Sequence, residues 1–501
     1  MKKLIAASIA TTLLLSPVAA YASQTTAPVP VTDFRVAADT AVQKADIQAF
    51  TEIKAQFDAA TVDIAKVKAD YVAKFQTKVK ALIPDTDALI IAVLDGAAKG
   101  DYSNGQAKQA VDKGLQGYFY AEISNLTKVV AKEALTAGKK EEAAFAVDKA
   151  VELYNGSLKG TATKRDAGLG TNIVEQMDTI IIPALFKAAE NGNVTDYNVA
   201  RQMFDKSLIK VFTLATITYA EKVPKLVAEN KLEDAKVGLT EGYFFFLPIF
   251  NSFSGGHKAS AELIKASFGS GDPAKLDTAQ LKDAFTQILI GKTTNYANKV
   301  IAADLSKEDA LATAKEAAME GNMFISVAET LLTEKLGKDG YKKLTESGQL
   351  YFNAVAKADK AEATKHLYPV LTTLSTVNGI NFEVGASKLV VNGKDVKIDA
   401  PSMIKNGRTL VPARALAEAL GGKIEAVKAD GKTKVVIEKD GSKVEFFIGG
   451  TEITQDGKKL ETVLDQPALI EKGRTFIPVR AVSTVFGKKV FFSGKTIIVL
   501  N

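Results

Sequence analysis

The sequence predicts a multidomain chain, with an all-α helical repeat or bundle array followed by a small α+β domain built from a duplicated strand–turn–helix unit. Three observations carry that prediction. A ten-residue phrase is written twice near the C-terminus. The long stretch before it has helical hydrophobic periodicity and looser repeats of its own. The extreme N-terminus has the layout of a removable leader.

The leader comes first. Lys2-Lys3 form a positive n-region, Leu4 to Leu15 an apolar stretch, and Ala20-Tyr21-Ala22 a small-x-small cleavage site. Residues 1–22 are therefore expected to be a secretory signal peptide cut after Ala22. The stretch is too short to span a bilayer, no Cys stands at the cleavage site, and no later apolar run reaches membrane-spanning length. The expectation is a secreted, extracellular protein with no transmembrane segment after cleavage, free or held at the cell surface or cell wall. The 501 residues include no Cys, so stability must come from buried cores and not from disulfides.

Residues 23–375 read as helix nearly throughout. Between Thr32 and Ile83 there is neither Gly nor Pro, and Phe50, Ile53, Phe57, Val62, Ile64, Val67, Tyr71 and Phe75 recur at helical spacing. One long helix or a helical hairpin ended by Pro84 is expected. The phrase Ala107-Lys-Gln-Ala-Val-Asp112-Lys113-Gly-Leu115-Gln-Gly-Tyr-Phe119 then aligns with Ala200-Arg-Gln-Met-Phe-Asp205-Lys206-Ser-Leu208-Ile-Lys-Val-Phe212. Looser forms return at Ala235 to Phe244 and Ala314 to Phe324, where Gly242 and Gly321 precede aromatics. These units are expected to be related antiparallel helices whose small residues admit a neighbour and whose aromatics fill the core. Unequal spacing of the copies favours an irregular bundle array over a regular solenoid. Ser306-Lys-Glu-Asp309 has the pattern of a capping box. The apolar run Tyr243 to Phe250, with Pro248 inside it, reads as a buried, proline-kinked helix.

Residues 376–385 are expected to be a linker, the joint running from Leu374 to Lys388, and residues 386–501 the second domain. Its first copy reads Asn406-Gly407-Arg408-Thr409-Leu410-Val411-Pro412-Ala413-Arg414-Ala415. The second, 66 residues later, reads Lys472-Gly473-Arg474-Thr475-Phe476-Ile477-Pro478-Val479-Arg480-Ala481. Asp399-Ala400-Pro401 and Asp465-Gln466-Pro467 precede them, and Gly421 and Gly487 follow. Agreement in one register at this many positions marks an internal duplication. Asp-x-Pro and Gly-Arg set turns, Thr-Leu-Val makes a short strand, and Pro suits the first turn of the next helix. The helices are placed at Ala415 to Gly422 and Val482 to Lys489.

This doubled unit resembles the copper amine oxidase N-terminal-like domain, or stalk domain, common in secreted proteins of Gram-positive bacteria. Val391-Asn392-Gly393-Lys394 supplies the opening hairpin of that pattern. The second copy departs from it: the usual Trp-Asp is replaced by Phe491-Phe492-Ser493. The resemblance implies a non-catalytic module and carries no copper with it. A copper centre needs several converging imidazoles or sulfur ligands, and the two histidines, His257 and His366, lie outside the region.

Charge is unequal along the chain. Residues 388–501 hold 20 Lys+Arg against 13 Asp+Glu, whereas residues 23–387 hold 42 against 45. A basic module on an exported protein favours anionic wall polymers; solvated lysines on hairpin edges are the plainer explanation. Nucleic acid is not expected, for want of a dense basic stripe. His257, after Ser254-Gly255-Gly256, is a loop histidine; His366, beside Tyr368-Pro369, is placed near a helix end. Glu141-Glu142, and Glu229 with Glu233, read as solvated helix faces. No metalloprotease, nucleophile-elbow or phosphate-loop motif occurs, and no cofactor, metal or catalytic residue is assigned.

The functional expectation is a non-catalytic secreted or cell-surface protein, with a helical array for partner binding and an envelope-associating stalk domain. Its partner would be an anionic cell-wall polymer or another surface protein. An extracellular iron- or haem-binding protein and a cell-wall hydrolase are the alternatives. The residues singled out are Asp399, Pro401, Gly407, Arg408, Thr409, Pro412 and Arg414, with their counterparts Asp465, Pro467, Gly473, Arg474, Thr475, Pro478 and Arg480. Asp399 is expected to pair with Arg414, and Asp465 with Arg480, locking each turn to its helix; an anion-binding arginine surface is the alternative.

Overall fold

The computed structural model describes residues 38–429 and 431–501. The expected signal peptide, residues 1–22, lies outside the described residues. The chain divides into two compact units after Ala363.

The first unit is all helix and turn over its described residues. Its opening segment is a hairpin and not one long helix. Ala41–Ala55 ends in a turn of 3-10 helix, Gln56–Asp58, and the chain reverses into Ile64–Tyr71. Gln56 reaches Asp70 at 2.7 Å, Lys74 reaches Glu52 at 2.8 Å and Lys78 reaches Asp46 at 2.5 Å, stitching the two arms. Pro84 starts the next helix, Pro84–Lys99, at its first turn, where a missing N–H costs nothing.

The four repeated phrases fall on the helices Asn104–Asn125, Val194–Ala228, Leu232–Phe246 and Glu308–Val327. Related copies pack in parallel, a departure from the antiparallel arrangement expected. Gly105 lies against Val237 and Gly117 against Pro248, so Asn104–Asn125 and Leu232–Phe246 run the same way. Arg201 meets Glu316 and Lys206 meets Glu320, so Val194–Ala228 and Glu308–Val327 do too. Antiparallel packing belongs to chain neighbours: Val223 and Tyr219 face Gly238 across the turn into Leu232–Phe246. The small residues serve as contact points. A Cβ at Gly242 would sit 2.2 Å from the Phe268 ring, so a larger residue there would force the helices apart. The run Tyr243 to Phe250 is core: Phe244, Phe245, Phe246 and Ile249 are buried, and the helix gives way to a 3-10 turn, Leu247–Ile249, at Pro248.

The second unit opens with the C-terminal part of the helix Lys360–Val377 and continues into strand β1, Ile380–Glu383. The expected linker 376–385 is therefore corrected: β1 is the middle strand of a sheet and Ile380 and Phe382 are core residues. The strands that follow are β2 (Lys388–Val391), β3 (Lys394–Lys397), β4 (Met403–Lys405), β5 (Arg408–Pro412), β6 (Lys423–Ala429) and β7 (Lys432–Lys439). The second half supplies β8 (Ser442–Phe447), β9 (Thr454–Gln455), β10 (Lys458–Lys459), β11 (Leu469–Glu471), β12 (Arg474–Pro478), β13 (Lys489–Ser493) and β14 (Thr496–Leu500).

Three antiparallel sheets result, in the orders β13-β14-β1-β2-β3, β10-β9-β8-β7-β6 and β11-β12-β5-β4. Each one mixes strands from both copies. The closing hairpin of either copy completes a sheet begun by the opening strands of the other, and β5 pairs with β12 in the register Ile477↔Val411 at the centre. The duplication is interlocked and pseudo-twofold, with one core shared by Val411, Leu416, Ile437, Ile477, Val482 and Val499.

Local chemistry explains why the copies fold alike. The two-residue turns Asn406-Gly407 and Lys472-Gly473 have φ of 49° and 72°, and 50° and 73°. Positive φ at both central residues is the hairpin turn whose twist suits antiparallel strands, and Gly fits its second position without strain. The helices begin two or three residues earlier than expected, spanning Ala413–Ala419 and Val479–Val485, with Pro412 and Pro478 as the last strand residues before them. Gly421 and Gly487, at φ 83° and 71°, close them as expected. Their N–H groups donate to Glu418 and Thr484 carbonyls, and the next residues, Gly422 and Lys488, donate to Ala417 and Ser483.

Candidate functional site

In the helical unit the repeated phrase builds two buried charge clusters. Lys113 bridges Asp112 at 2.8 Å and Glu241 at 3.3 Å; Lys206 bridges Asp205 at 2.6 Å and Glu320 at 2.9 Å. Each cluster joins the Asp-Lys of a strict copy to the Glu that precedes Gly in a looser one. The Lys113 ammonium lies 5.1 Å from the Phe245 ring centroid and that of Lys206 lies 5.4 Å from Phe324. Tyr120 donates to Asp205 at 3.0 Å. Burial works against the Asp205 carboxylate, yet Lys206, Arg201 and Tyr120 together outweigh it and hold that carboxyl below its ordinary range; burial likewise opposes the Lys206 ammonium, which Asp205 and Glu320 hold above its own. Arg201 with Glu316 and Lys210 with Glu329, at 2.7 and 2.5 Å, extend the row.

In each cluster the ammonium compensates the carboxylates that meet it in the interior. The signal for these clusters was in the sequence: an Asp-Lys dipeptide at equivalent positions of two aligned phrases, Asp112-Lys113 and Asp205-Lys206. Beside them, burial brings the Lys292 amine down to about 8, within 5.0 Å of the Phe324 ring centroid.

The histidines have structural posts. His257 caps the helix Lys258–Phe268, its Nδ1 accepting from the Ser260 N–H at 3.3 Å. His366 lies inside the helix Lys360–Val377 and not at its end, a correction that follows from the helix running on through Pro369. Ser306 forms no capping box either; its hydroxyl donates to Asp304 at 2.7 Å, and Ser103 with Gln106 makes that motif instead. Glu142 and Glu229 sit on exposed lysines, Lys139 and Lys231. Among the described residues no group of three or more His, Cys, Asp or Glu converges as a metal site.

In the C-terminal unit the motif residues gather where the copies meet, but the pairing is crosswise. Arg408 Nε meets Asp465 Oδ2 at 2.6 Å, and Arg474 Nε meets Asp399 Oδ2 at 2.5 Å. The expected pairs Asp399–Arg414 and Asp465–Arg480 do not form. The reason is the interlock: the turn that carries the Gly-Arg of one copy lies against the Asp-x-Pro of the other. Asn406 confirms the approach by donating to Gln466 at 3.0 Å. Thr409 and Thr475 are half-buried strand residues, and Pro412 and Pro478 are buried beside them.

Arg414 and Arg480, on the first turn of their helices, are exposed, and neither has a carboxylate partner among the described residues. The Arg480 guanidinium lies 4.6 Å from the Phe492 ring centroid. The residue of the first copy aligned with Phe492 is Ala426, so no ring underlies Arg414. Arg480 also borders a cleft of about 280 Å³ lined by Val384, Ile404, Arg408, Asp465, Pro478 and Phe492 among others.

An interlocked, internally duplicated α+β module with exposed arginines at one register of both copies defines this part of the chain as a small accessory domain. Residues 380–500 match the family model of the copper amine oxidase N-terminal domain, which is a non-catalytic accessory domain of the oxidase. The helical region has no family match. No curated protein and no solved structure matches the chain.

Proposed function

We propose that this is an exported, non-catalytic binding protein whose C-terminal module attaches it to an anionic polymer of the cell envelope and whose helical array meets a second surface protein. The observation that carries the reading is the pair of exposed arginines, Arg414 and Arg480, at one register of the duplicated motif and without carboxylate partners among the described residues. The excess of 20 basic over 13 acidic residues across 388–501 supports it through long-range attraction. No helix among the described residues is long and apolar enough to cross a membrane.

Fractionating a culture into medium, wall and membrane and blotting for the chain tests this, together with sedimentation of the purified protein on isolated cell wall. Binding to wall that falls steeply between low and physiological salt is expected. Recovery in the medium alone, with no sedimentation on wall at any salt, would refute it.

A further inference from the structure

The cleft at Arg480 is a site of definite chemistry, and its ligand can be read from what surrounds it. Resting on the envelope-attachment reading, we propose that this cleft binds one phosphodiester of a polyol polymer, gripped by Arg480 and Arg408 and seated on Phe492.

Charge sets the valence. The charged lining residues are Arg408, Asp465 and Arg480, so two guanidiniums less one carboxylate leave a single net positive charge. That complements a mono-anion. Arg408 Nε is already held by Asp465 at 2.6 Å, which orients its guanidinium without taking all five of its donors. Arg480 stands over the Phe492 ring, which restrains the long side chain and leaves its N–H groups available to a ligand. A guanidinium so placed suits an anion with two equivalent oxygens, bound through paired N–H···O contacts.

Shape chooses between the anions that fit. A carboxylate ends a molecule, whereas a diester has carbon on both sides of its charge. The lining sets the apolar Val384, Ile404, Pro478 and Phe492 beside its arginines, so carbon next to the charge is accommodated. Ile404 is 64% exposed and adds apolar surface to the cleft. At about 280 Å³ the space takes one small repeat unit and not a folded partner. Arg414, with Ala426 in place of the ring, provides an internal control in the same domain.

The test titrates the full chain with a short glycerol-phosphate oligomer, and separately with glucuronate and with phosphatidylglycerol vesicles, by isothermal titration calorimetry at low salt. Saturable binding of the oligomer is expected. Arg480→Gln should weaken it by about tenfold, from loss of a charge-assisted pair. Arg480→Lys and Phe492→Ala should each weaken it by about threefold, the first because an ammonium cannot fork and the second because the ring support is gone. Arg414→Gln should weaken it less than Arg480→Gln does, because Arg414 is not among the residues that line the cleft, and thermal melting of each variant verifies folding. Equal loss in Arg480→Gln and Arg414→Gln would overturn the site. Preference for glucuronate or for the vesicles over the oligomer would overturn the ligand. Undiminished wall sedimentation by Arg480→Gln, with no oligomer binding by the unaltered chain, would overturn this inference while sparing the envelope reading. Oligomer binding without wall sedimentation would do the reverse.

Discussion

Both units of this protein repeat themselves, and they treat the charges in the repeat in opposite ways. In the helical unit, Lys113 and Lys206 are 8% and 6% exposed, each closed in by an Asp and a Glu. In the C-terminal unit, Arg408 and Arg474 have half their side-chain surface in water, and Arg414 and Arg480 are exposed. A duplicated charge that ends up inside must find its counter-charge in the fold, so it selects which helices pack together. A duplicated charge that stays outside is available to something else. The same evolutionary operation yields an internal address in one unit and a contact surface in the other.

The largest effect is expected from cutting the interlock. Every sheet of the C-terminal unit takes strands from both copies, so residues 380–440 alone should be unfolded, while 364–501 should fold and melt cooperatively. Circular dichroism and amide dispersion in NMR spectra read this directly. A folded 380–440 fragment would mean that each copy is a domain in itself and that the sheet order described is not the stable one.

Next is Lys206→Met in the full chain. Removing the ammonium leaves Asp205 and Glu320 facing each other in the interior, and the cost should be about 3–5 kcal/mol of helical-unit stability in a urea titration. The sign with pH follows from the depressed Asp205 carboxyl. Its contribution is present above the unfolded carboxylate range and is lost as pH falls through the folded value. The wild type should therefore destabilise more steeply in acid than the variant. A cost below about 1 kcal/mol would place this cluster with the exposed pairs and erase the contrast between the units.

Lys292 sharpens the same contrast from the other side, as a half-buried ammonium whose desolvation outweighs the attraction of Glu320. Its amine titrates at about 8 in the folded chain against an ordinary 10.5. Between those values the unfolded chain binds more protons, so this group's contribution to stability rises with pH across the window and is least favourable below about 8. Lys292→Met should stabilise the helical unit by on the order of 2 kcal/mol at pH 7, the gain shrinking to nothing above the window. Constant stabilisation at every pH would show that the gain comes from packing and not from the charge.

Much of this architecture was legible beforehand, for reasons particular residues make plain. Asn406-Gly407 and Lys472-Gly473 announce hairpins because Gly at positive φ is cheap, and Gly421 and Gly487 announce helix ends for the same reason. Aligned phrases at Ala107 and Ala200 announce related helices. Direction and partner choice were not legible. Parallel packing of Asn104–Asn125 with Leu232–Phe246 depends on the helices that intervene, which no local pattern encodes. The linker expected at 376–385 hid β1 because a four-residue strand flanked by Gly379 and Gly385 resembles a joint until β14 pairs with it. Asp399 and Asp465 were recognised as paired acids, but nearness in sequence pointed to Arg414 and Arg480. Only the crossing of the copies reveals that Arg474 and Arg408 are the partners.

Those crossed pairs give the smallest and most discriminating measurement. Arg474 Nε and Asp399 Oδ2 are 2.5 Å apart, yet each side chain has 51% of its surface in water. Solvent screens such a pair, and ordering two side chains offsets most of the attraction, so a double-mutant cycle with Arg474→Ala and Asp399→Ala should give a coupling of about 0.2–1 kcal/mol. The coupling should fall further in molar salt. Its worth lies in register more than in stability, because the contact forms only when the second copy's turn meets the first copy's Asp-x-Pro. A coupling of several kcal/mol would mean that this junction is shut off from water, and that the arginines of the motif hold the halves together in the way Lys206 holds its helices. A coupling of zero between Arg474 and Asp399, with a measurable one between Arg414 and Asp399, would restore pairing within each copy and undo the interlocked arrangement itself.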